Sequence, residues 1–369
     1  MSAPAIVHVM GWRSQQYGSF ERFLVALASR CAEQGAHTHL VFPATPASLA
    51  FAHDVPAEVH VIPSPMRASD PRFALRLAGV LQRVGATHLH AHFGMDAYQA
   101  VATAALLAVP ARYATKHIAP GSSRRSLSRT RHRWLAARVR TFFAVSHHVR
   151  EQLLALGVPS EKVEVCYLGV DPAAYRRSQL VRAEVRGELG IVDGSRLVLT
   201  TSHLRPGKGM EMLPRVTADL VGAGMNVTVL AAGDGPLRRQ LEREARRRGL
   251  GRERLRLVGV REDVPRLLAA ADLFLFPASG AEGLPLGPLE ALAAGAPVVA
   301  TAVSDLATLL PGSALLVAPG DPAALVAACR RLLGDPQLAD AMRRRGRELV
   351  VGRLNVARAV DVHAQYYLG

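Results

Sequence analysis

Residues 197–209 read Leu-Val-Leu-Thr-Thr-Ser-His-Leu-Arg-Pro-Gly-Lys-Gly, a short apolar run followed by a glycine-rich turn. The run predicts a buried β-strand, because its apolar residues are continuous rather than alternating. The turn is predicted to open a helix, and glycines at such a place let backbone N–H groups approach an anion. Lys208 can pair with a phosphate there. An ordinary strand-to-helix turn with an exposed lysine is an equally weighted reading, since the stretch matches neither a Walker A loop nor a G-x-G-x-x-G fingerprint.

The same alternation of apolar runs and helical-period segments continues in both directions and predicts βαβ units with parallel sheets. The predicted strands are 6–10, 38–42, 59–62, 88–92, 112–115, 142–145, 163–167, 197–201, 227–231, 255–257, 273–276, 298–300 and 314–317. The fold class is α/β, with two doubly wound Rossmann-like domains facing an interdomain cleft, where ligands bind at the carboxyl ends of strands. The predicted parts are a first domain at 1–175, a charged linker at 176–195, a second domain at 196–349 and a C-terminal helix at 350–369.

Composition excludes several classes of protein. The chain has 369 residues, a net charge of +15 and 49% apolar residues, so it is neither a disordered basic tail nor too small for a large core. Three separated cysteines, Cys31, Cys166 and Cys329, predict buried thiols in a reducing compartment rather than a disulfide framework. The sequence has no signal-peptide pattern and no apolar stretch long enough to span a bilayer. A cytoplasmic protein is expected, either soluble or peripheral on the inner face of the plasma membrane.

Two carboxylates, Glu282 and Glu290, lie eight residues apart in the run Glu-Gly-Leu-Pro-Leu-Gly-Pro-Leu-Glu. Pro288 suits the first turn of a helix, which predicts Glu290 in that turn and Glu282 in the preceding loop. Glu290 alone is explained by the preference of acids for a helix N-terminus. Glu282 is less easily explained, and a carboxylate among glycines and prolines suits hydrogen bonds from sugar hydroxyls.

Other turns and strand ends carry weaker signals. Gly233-Asp234-Gly235-Pro236 and Val258-Gly259-Val260 each follow a strand, and most such turns are structural. In the first half, Gly18 and Ser19 precede a helix in an anion-friendly turn, while His90, His92 and His117 stand at strand ends. A histidine at the end of a strand is as often functional as structural when it faces a cleft. No third ligand accompanies His90 and His92 in sequence, so no metal is expected.

Taken together and in order, these motifs resemble the retaining glycosyltransferases of family 4, which have the GT-B fold. The resemblance covers almost the whole chain, and its motifs are 18–21, 90–92, 115–117, 144–146, 169–171, 208–209, 233–236, the pair Glu282/Glu290 with 290–295, 297–301 and 320–322. It implies a transferase that moves a sugar from a nucleotide-diphosphate sugar, with UDP the favoured nucleotide, to an acceptor hydroxyl. It implies no metal cofactor, and the sequence contains no D-x-D motif. The acceptor would be a sugar, a glycolipid or a small-molecule alcohol.

The resemblance also implies roles for individual residues. Lys208 would bind the donor diphosphate, Glu290 the ribose and Glu282 a hydroxyl of the donor sugar, with His117 near the sugar as well. Glu282, His117 and Lys208 are therefore the candidate catalytic residues. The candidate donor-binding residues are Gly18, Ser19, His203, Arg205, Lys208, Gly233, Val258, Gly259, Val260, Glu282, Gly283, Leu284, Leu286, Gly287 and Glu290. The C-terminal helix is expected to return to the N-terminal domain, which is the acceptor side, while the second domain binds the nucleotide sugar.

Three departures from the family pattern leave an alternative open. His203 stands where the family usually has an arginine, Leu168 replaces an asparagine, and Val303-Ser304 replaces a Gly-Gly pair. Arg205 offers a substitute for the missing charge. The alternative is a catalytically weakened nucleotide-sugar-binding protein of the same fold. A nucleic-acid-binding protein is argued against by the 5% aromatic content, and a phosphorylase by the lack of a lysine in a pyridoxal setting.

The basic charge is concentrated in the first domain. Residues 97–150 contain ten basic residues and no acidic one. This segment predicts either a solvated arginine face or a surface for an anionic membrane or acceptor. The residues proposed for that surface are His92, Arg124, Arg125, Arg129, Arg131 and Arg133.

Overall fold

The computed structural model describes residues 3–12, 14, 16–63, 70–92, 96–117, 125–280 and 282–369. They divide into two compact units, the first made of 1–168 and 356–369 and the second of 169–355. Each unit has its own parallel sheet. Every predicted strand is present within two residues of its expected ends, because continuous apolar runs are the strongest local signal of a sheet covered on both faces.

The first unit contains a seven-stranded sheet in the order β3-β2-β1-β4-β5-β6-β7. Its strands are β1 (Ala5–Met10), β2 (His37–Phe42), β3 (Glu58–Val61), β4 (His88–His92), β5 (Ala111–Lys116), β6 (Thr141–Ala144) and β7 (Val163–Val165). Its first helices are α1 (Ser19–Glu33), α2 (Leu49–Asp54), α3 (Pro71–Arg83), α4 (Asp96–Leu106), α5 (Arg125–Ala136) and α6 (His147–Ala155). The strand order reverses between β1 and β4, so the carboxyl ends of these neighbours form the switch point.

The second unit contains a six-stranded parallel sheet in the order β10-β9-β8-β11-β12-β13. The strands are β8 (Arg196–Thr201), β9 (Val227–Ala232), β10 (Leu255–Gly259), β11 (Leu273–Phe276), β12 (Val298–Thr301) and β13 (Leu315–Val317). The helices are α7 (Gln179–Glu188), α8 (Leu213–Gly222), α9 (Arg238–Arg247), α10 (Val264–Ala270), α11 (Leu286–Ala293), α12 (Leu306–Leu309), α13 (Pro322–Gly334) and α14 (Pro336–Gly352). Here the switch point lies between β8 and β11, which are the strands that precede the Lys208 and Glu282 loops.

The segment predicted as a linker, 176–195, is instead part of the second unit. It contains α7, which packs on α10. Arg182 and Arg186 of α7 reach the same buried carboxylate, that of Asp272, at 2.7 and 3.1 Å. The charges that made this stretch look like a solvated linker therefore pair with an acid at the start of a distant strand, a contact that no local pattern reveals.

The C-terminal segment 350–369 is two pieces rather than one helix. Helix α14 ends at Gly352, and α15 (Val356–Leu368) begins a new helix that belongs to the first unit and packs on α1. Tyr367 of α15 is buried, and its hydroxyl is hydrogen-bonded to Nδ1 of His90 on β4. The unit boundaries accordingly fall after Leu168 and after Asn355.

Gly169, the first residue of the second unit, explains one motif of the sequence. Its φ is +66°, and a Cβ there would lie 2.5 Å from the carbonyl oxygen of Leu354. The next residue, Val170, donates its N–H to that carbonyl at 2.9 Å. Glycine is required at this position because two backbone segments approach each other there.

Candidate functional site

The Lys208 loop is fixed against the loop that follows β11. Gly207 and Gly209 adopt φ values of +86° and +68°, which favour glycine. The carbonyl oxygen of Gly207 accepts hydrogen bonds from the N–H groups of Ser279 and Gly280 at 3.1 and 2.8 Å. A Cβ on Gly209 would lie 1.7 Å from the carbonyl oxygen of Pro277. The glycines are therefore needed for close packing of two loops at the switch point, in addition to any contact with a ligand.

Lys208 and Glu282, which lie 74 residues apart in sequence, form an ion pair at this point. Lys208 Nζ is 2.6 Å from Glu282 Oε1, and the two side chains are 17% and 12% exposed. Strands β8 and β11 are neighbours in the sheet, so the loops after their carboxyl ends must meet. The pair places an ammonium and a carboxylate side by side, groups that suit a phosphate oxygen and a sugar hydroxyl respectively.

Glu290 lies in the second turn of α11, not in the first as predicted. The helix begins at Leu286, two residues before Pro288, because Pro285 already occupies the N-cap position. The preference of acids for the first turn therefore does not explain Glu290. Its side chain is partly exposed.

The loop between Glu282 and α11 is anchored at several points. Leu284 is buried, and a Cβ on Gly287 would lie 3.2 Å from the Phe274 ring. The hydroxyl of Ser304 donates a hydrogen bond to the carbonyl oxygen of Gly283. Ser304 adopts φ +51°, a conformation that favours glycine, which gives a physical reason for the Gly-Gly pair that the family usually has near this position.

Three further predicted donor-binding segments converge at the carboxyl ends of β8, β9 and β10. Gly233 donates its N–H to the carbonyl of Gly259 at 2.7 Å. A Cβ on Gly233 would lie 1.9 Å from the carbonyl oxygen of Ser202, next to His203. Val260 is 47% exposed, so the segment 258–260 offers an apolar surface together with backbone groups.

His203 and Arg205 differ in the charge that they supply. Partial burial of the His203 ring, together with the charges of Lys208 and Arg205, lowers its pKa below the usual value. His203 is therefore neutral at pH 7 and does not replace the arginine of the family pattern. Arg205 is exposed, and its carbonyl accepts a hydrogen bond from the N–H of Lys208 at 3.3 Å. The charge at this loop comes from Arg205 and Lys208.

In the first unit, Gly18 and Ser19 form the start of α1, as the sequence predicted. Glu21, which was not predicted as a site residue, is buried beside them. Its carboxylate accepts hydrogen bonds from the Gly18 N–H at 3.1 Å and from the Ser14 hydroxyl at 2.7 Å. The glutamate that ends the 18–21 motif thus holds the turn in shape, which the Gly-to-Glu spacing of a helix N-terminus could have indicated.

His92 and His117 are brought together at the ends of β4 and β5. His92 Nδ1 and His117 Nε2 are 3.2 Å apart, and both residues are buried. Burial is the main cause that holds both pKa values well below the usual value for histidine, so both rings are neutral. Sequence reasoning missed His8 of β1, whose Nδ1 lies 3.0 Å from His92 Nε2.

Two groups of described residues have a geometry that could hold a metal ion. One is His8, His90 and His92, in which His8 supplies the third ligand that the sequence did not reveal. Both nitrogens of His90 and of His92 already have hydrogen-bond partners there. The other group, His39, Glu58 and His60, lies on β2 and β3 at an edge of the sheet.

The basic residues of α5 at 129, 131 and 133 point outward, and the apolar residues at 135 and 136 do not. Arg129, Arg131 and Arg133 are exposed, whereas Leu135 is buried and Trp134 lies beneath the Arg138 guanidinium, 4.1 Å from its ring centre. Among residues 128–136, whose side chains the structure describes, the surface is therefore an arginine face without an exposed apolar stripe. Arg124 and the side chain of Arg125 lie outside the described residues. None of the helices in the described ranges combines the length and the apolar character needed to cross a bilayer.

Comparison with known families matches the two halves of the chain separately. The profile described as Glycosyltransferase Family 4 matches residues 20–174, and the profile described as Glycosyl transferases group 1 matches residues 195–335. Together they cover most of both units and include Lys208, Glu282 and Glu290.

The individual proteins that are similar to this chain are glycosyltransferases as well. The chain is 29% identical to 2-deoxystreptamine glucosyltransferase of Streptomyces kanamyceticus, over 64% of this chain and 62% of that protein. It is 33% identical to the GDP-mannose-dependent alpha-(1-6)-phosphatidylinositol monomannoside mannosyltransferase of Mycolicibacterium smegmatis, over 55% of each. The matched part thus spans little more than half the length of these relatives. The structure of HepE of Anabaena in complex with UDP-glucose superposes with a TM-score of 0.83 at 21% identity, covering 98% of both chains, and this confirms the predicted fold class.

Proposed function

The chain belongs to the glycosyltransferases of family 4 and group 1, and from this premise we propose that it moves a sugar from a nucleotide-diphosphate sugar to an acceptor hydroxyl. The observation that carries the proposal is the Lys208–Glu282 pair at the switch point of the second sheet, beside the N-terminus of α11. Turns at strand ends are common and by themselves indicate no ligand. A paired ammonium and carboxylate at a switch point, however, suit a ligand that carries both phosphate and hydroxyl groups.

In the proposed reaction, Lys208 neutralises charge that develops on the departing diphosphate, and the first backbone N–H groups of α11 add to this effect. Glu282 accepts a hydrogen bond from a hydroxyl of the donor sugar, and Glu290 binds the ribose. The bond between the anomeric carbon and the diphosphate oxygen breaks while the acceptor oxygen bonds to the same face of that carbon. Because the new bond forms on the face that the diphosphate leaves, the configuration is retained, and the acceptor proton passes to the departing phosphate.

We propose UDP as the nucleotide, because the exposed Val260 and the backbone at 258–260 suit a planar base and UDP is bound by HepE. The donor GDP-mannose, named for the mycobacterial relative, is the competing choice. A thermal-shift screen against UDP, GDP, ADP and dTDP sugars distinguishes them, since a ligand at free concentration L stabilises the native state by RT ln(1 + L/Kd) and the tightest donor gives the largest shift at equal concentration. Determining the anomeric configuration of the product by NMR tests whether the configuration of the donor sugar is retained. Stabilisation by every sugar nucleotide without transfer to any acceptor would favour the binding-protein alternative.

We also propose that the reaction needs no metal ion, because Lys208, Arg205 and the start of α11 supply positive charge at the predicted diphosphate site. The transfer rate should then be unchanged by EDTA. His39, Glu58 and His60 have a geometry that could hold an added metal ion, so the Glu58→Gln variant is the control for effects of added metal. A rate that falls with EDTA in both proteins and returns with Mg²⁺ or Mn²⁺ would refute this proposal.

Restoring the missing arginine should strengthen donor binding. The His203→Arg variant adds a charge beside Lys208 where the native ring is neutral, so we expect the donor KM to fall about tenfold, equivalent to about 1.4 kcal/mol. His53→Arg, on the first unit at a site where the side chain is 90% exposed, adds the same charge as a control. An unchanged KM would mean that Arg205 already supplies the charge that the diphosphate requires.

For the acceptor, we propose that the exposed arginines of α5 attract an anionic membrane surface. Changing Arg129, Arg131 and Arg133 to serine should weaken co-sedimentation with phosphatidylserine vesicles about 10²-fold, at about 1 kcal/mol per basic residue. Arg243, Arg246 and Arg247 on α9 are exposed as well, and their triple serine variant controls for net charge. Equal binding by both variants would remove the membrane proposal and favour a soluble acceptor, such as the one named for 2-deoxystreptamine glucosyltransferase.

A further inference from the structure

Three histidines of the first unit form a linear chain that runs from the core of the sheet to its carboxyl edge. His8 Nδ1 lies 3.0 Å from His92 Nε2, and His92 Nδ1 lies 3.2 Å from His117 Nε2. The ring centroids of the two pairs are 5.3 and 5.5 Å apart. Each centroid separation equals the nitrogen–nitrogen distance plus the distance from nitrogen to ring centre in both rings. This is the largest separation that the nitrogen–nitrogen distance allows, and it is reached only when each nitrogen points directly at the other. Both contacts are therefore in-plane hydrogen bonds rather than stacking contacts.

A fourth histidine holds the middle of this chain in place. The rings of His90 and His92 stack with centroids 4.1 Å apart at 22°. His90 itself is fixed at both nitrogens, by the Thr115 hydroxyl at 2.6 Å and by the Tyr367 hydroxyl. His92 consequently cannot rotate without displacing a buried, doubly hydrogen-bonded neighbour.

The direction of hydrogen-bond donation along this chain follows from His8, which is its inner end. Each neutral imidazole carries one N–H, so a chain of three rings has two consistent arrangements. His8 Nε2 is buried and has no hydrogen-bond partner among the described residues. If His8 carried its proton there, a buried N–H would be unpaired, which is rarer and more costly than an unused acceptor. The favoured arrangement has His8 donating from Nδ1 to His92, and His92 donating from Nδ1 to His117.

We propose that His8 and His92 are positioning residues that fix His117 in the tautomer protonated at Nδ1, so that His117 presents an N–H donor to an oxygen of the substrate. That His117 meets the substrate rests on the proposed function, whereas its tautomer does not. Burial lowers the pKa of His8 to about 3 and holds those of His92 and His117 well below the usual value, which keeps all three rings neutral. The alternative use of the cluster, a metal ion held by His8, His90 and His92, would require one nitrogen each of His90 and His92, and both nitrogens of these two rings are hydrogen-bonded.

The tautomer is measurable in the full chain by ¹⁵N-histidine NMR, with His117 identified through the signals lost in His117→Gln. We expect His117 to be protonated at Nδ1 in the native protein. A His117 protonated at Nε2, or a stoichiometric metal ion in the purified protein that shifts the His8 and His92 signals, would overturn the proposal. This measurement needs no variant of His8 that folds.

A matched pair of variants tests whether His8 sets the tautomer of His117 through His92, an effect that we call the relay. His8→Asn keeps a donor at the position of Nδ1, whereas His8→Leu removes it at similar volume. We expect the Leu variant alone to give a mixed His117 tautomer and a kcat lower by about tenfold with an unchanged donor KM, by analogy with the low end of the loss seen when the partner that orients a metal-ligating histidine is removed. His53→Asn, an exposed histidine, should match the native protein. Equal effects of both His8 variants on tautomer and kcat would refute the relay. A tautomer effect in a protein that transfers no sugar would refute the proposed function and leave the relay intact.

Discussion

Replacing Lys208 by methionine is expected to lower kcat/KM by about 10²–10³-fold, the usual loss when one stabilising group is removed from a developing negative charge. The loss should exceed that of any exposed arginine, because Lys208 is only 17% exposed and lies at the switch point of the sheet. A part of the effect must come from Glu282, which would be left without its ion-pair partner in a largely buried position.

Two further variants separate these contributions. In Lys208→Met/Glu282→Gln the unpaired carboxylate is gone, so stability should recover while activity does not. Arg215→Ala removes an exposed charge from α8 of the same unit and should leave the rate unchanged. If the double variant regains the native rate, Lys208 serves only to neutralise Glu282, and its assignment to the diphosphate is wrong.

Replacing Gly209 by alanine is the second change for which we expect a large effect. The new Cβ would meet the Pro277 carbonyl at 1.7 Å, which forces the Lys208 loop away from the loop that carries Glu282. A displacement of about 1 Å at a reacting centre costs on the order of 10²-fold in rate. Transfer should therefore fall by about 10²-fold, together with the unfolding temperature of the second unit.

Gly224 provides the matched control for this substitution. Its φ of +78° carries a similar strain for alanine, about 1–2 kcal/mol, but a Cβ there meets nothing within 4 Å. Gly224→Ala should thus lower stability modestly and leave the kinetic constants as they are. Similar rates in the Gly209 and Gly224 variants would mean that the contact between the two loops does not position the reacting groups.

The predictions from sequence succeeded where the signal is local. Continuous apolar runs predict every strand of the described residues, and the glycine-lysine turn after β8 is apparent from the local sequence alone. They were inaccurate where the signal is nonlocal. The stretch at 176–195 looked like a linker because the buried partner of its arginines, Asp272, lies more than 80 residues away. Glu290 was placed one turn too early because Pro285, not Pro288, precedes the helix.

The two functional clusters show the same division. Lys208 and Glu282 were each selected from sequence, but only the adjacency of β8 and β11 shows that they touch. His92 and His117 were selected too, whereas His8 was not, because a single histidine inside the apolar run of β1 carries no local sign of function. The pairing of β1 with β4, residue by residue from Ile6 with His88 to Met10 with His92, is what brings His8 to its partner.

The sequence by itself determined the family, the fold class and the residue types at the ends of the strands, because these depend on periodicity, glycine positions and motif order along the chain. Tertiary structure alone decided which of these residues meet and where each unit begins and ends. The physical reason is that parallel strands adjacent in a sheet are separated in sequence by whole helices. Their hydrogen-bonding and charged groups find each other only after the sheet order is set, and sheet order is a property of the whole core.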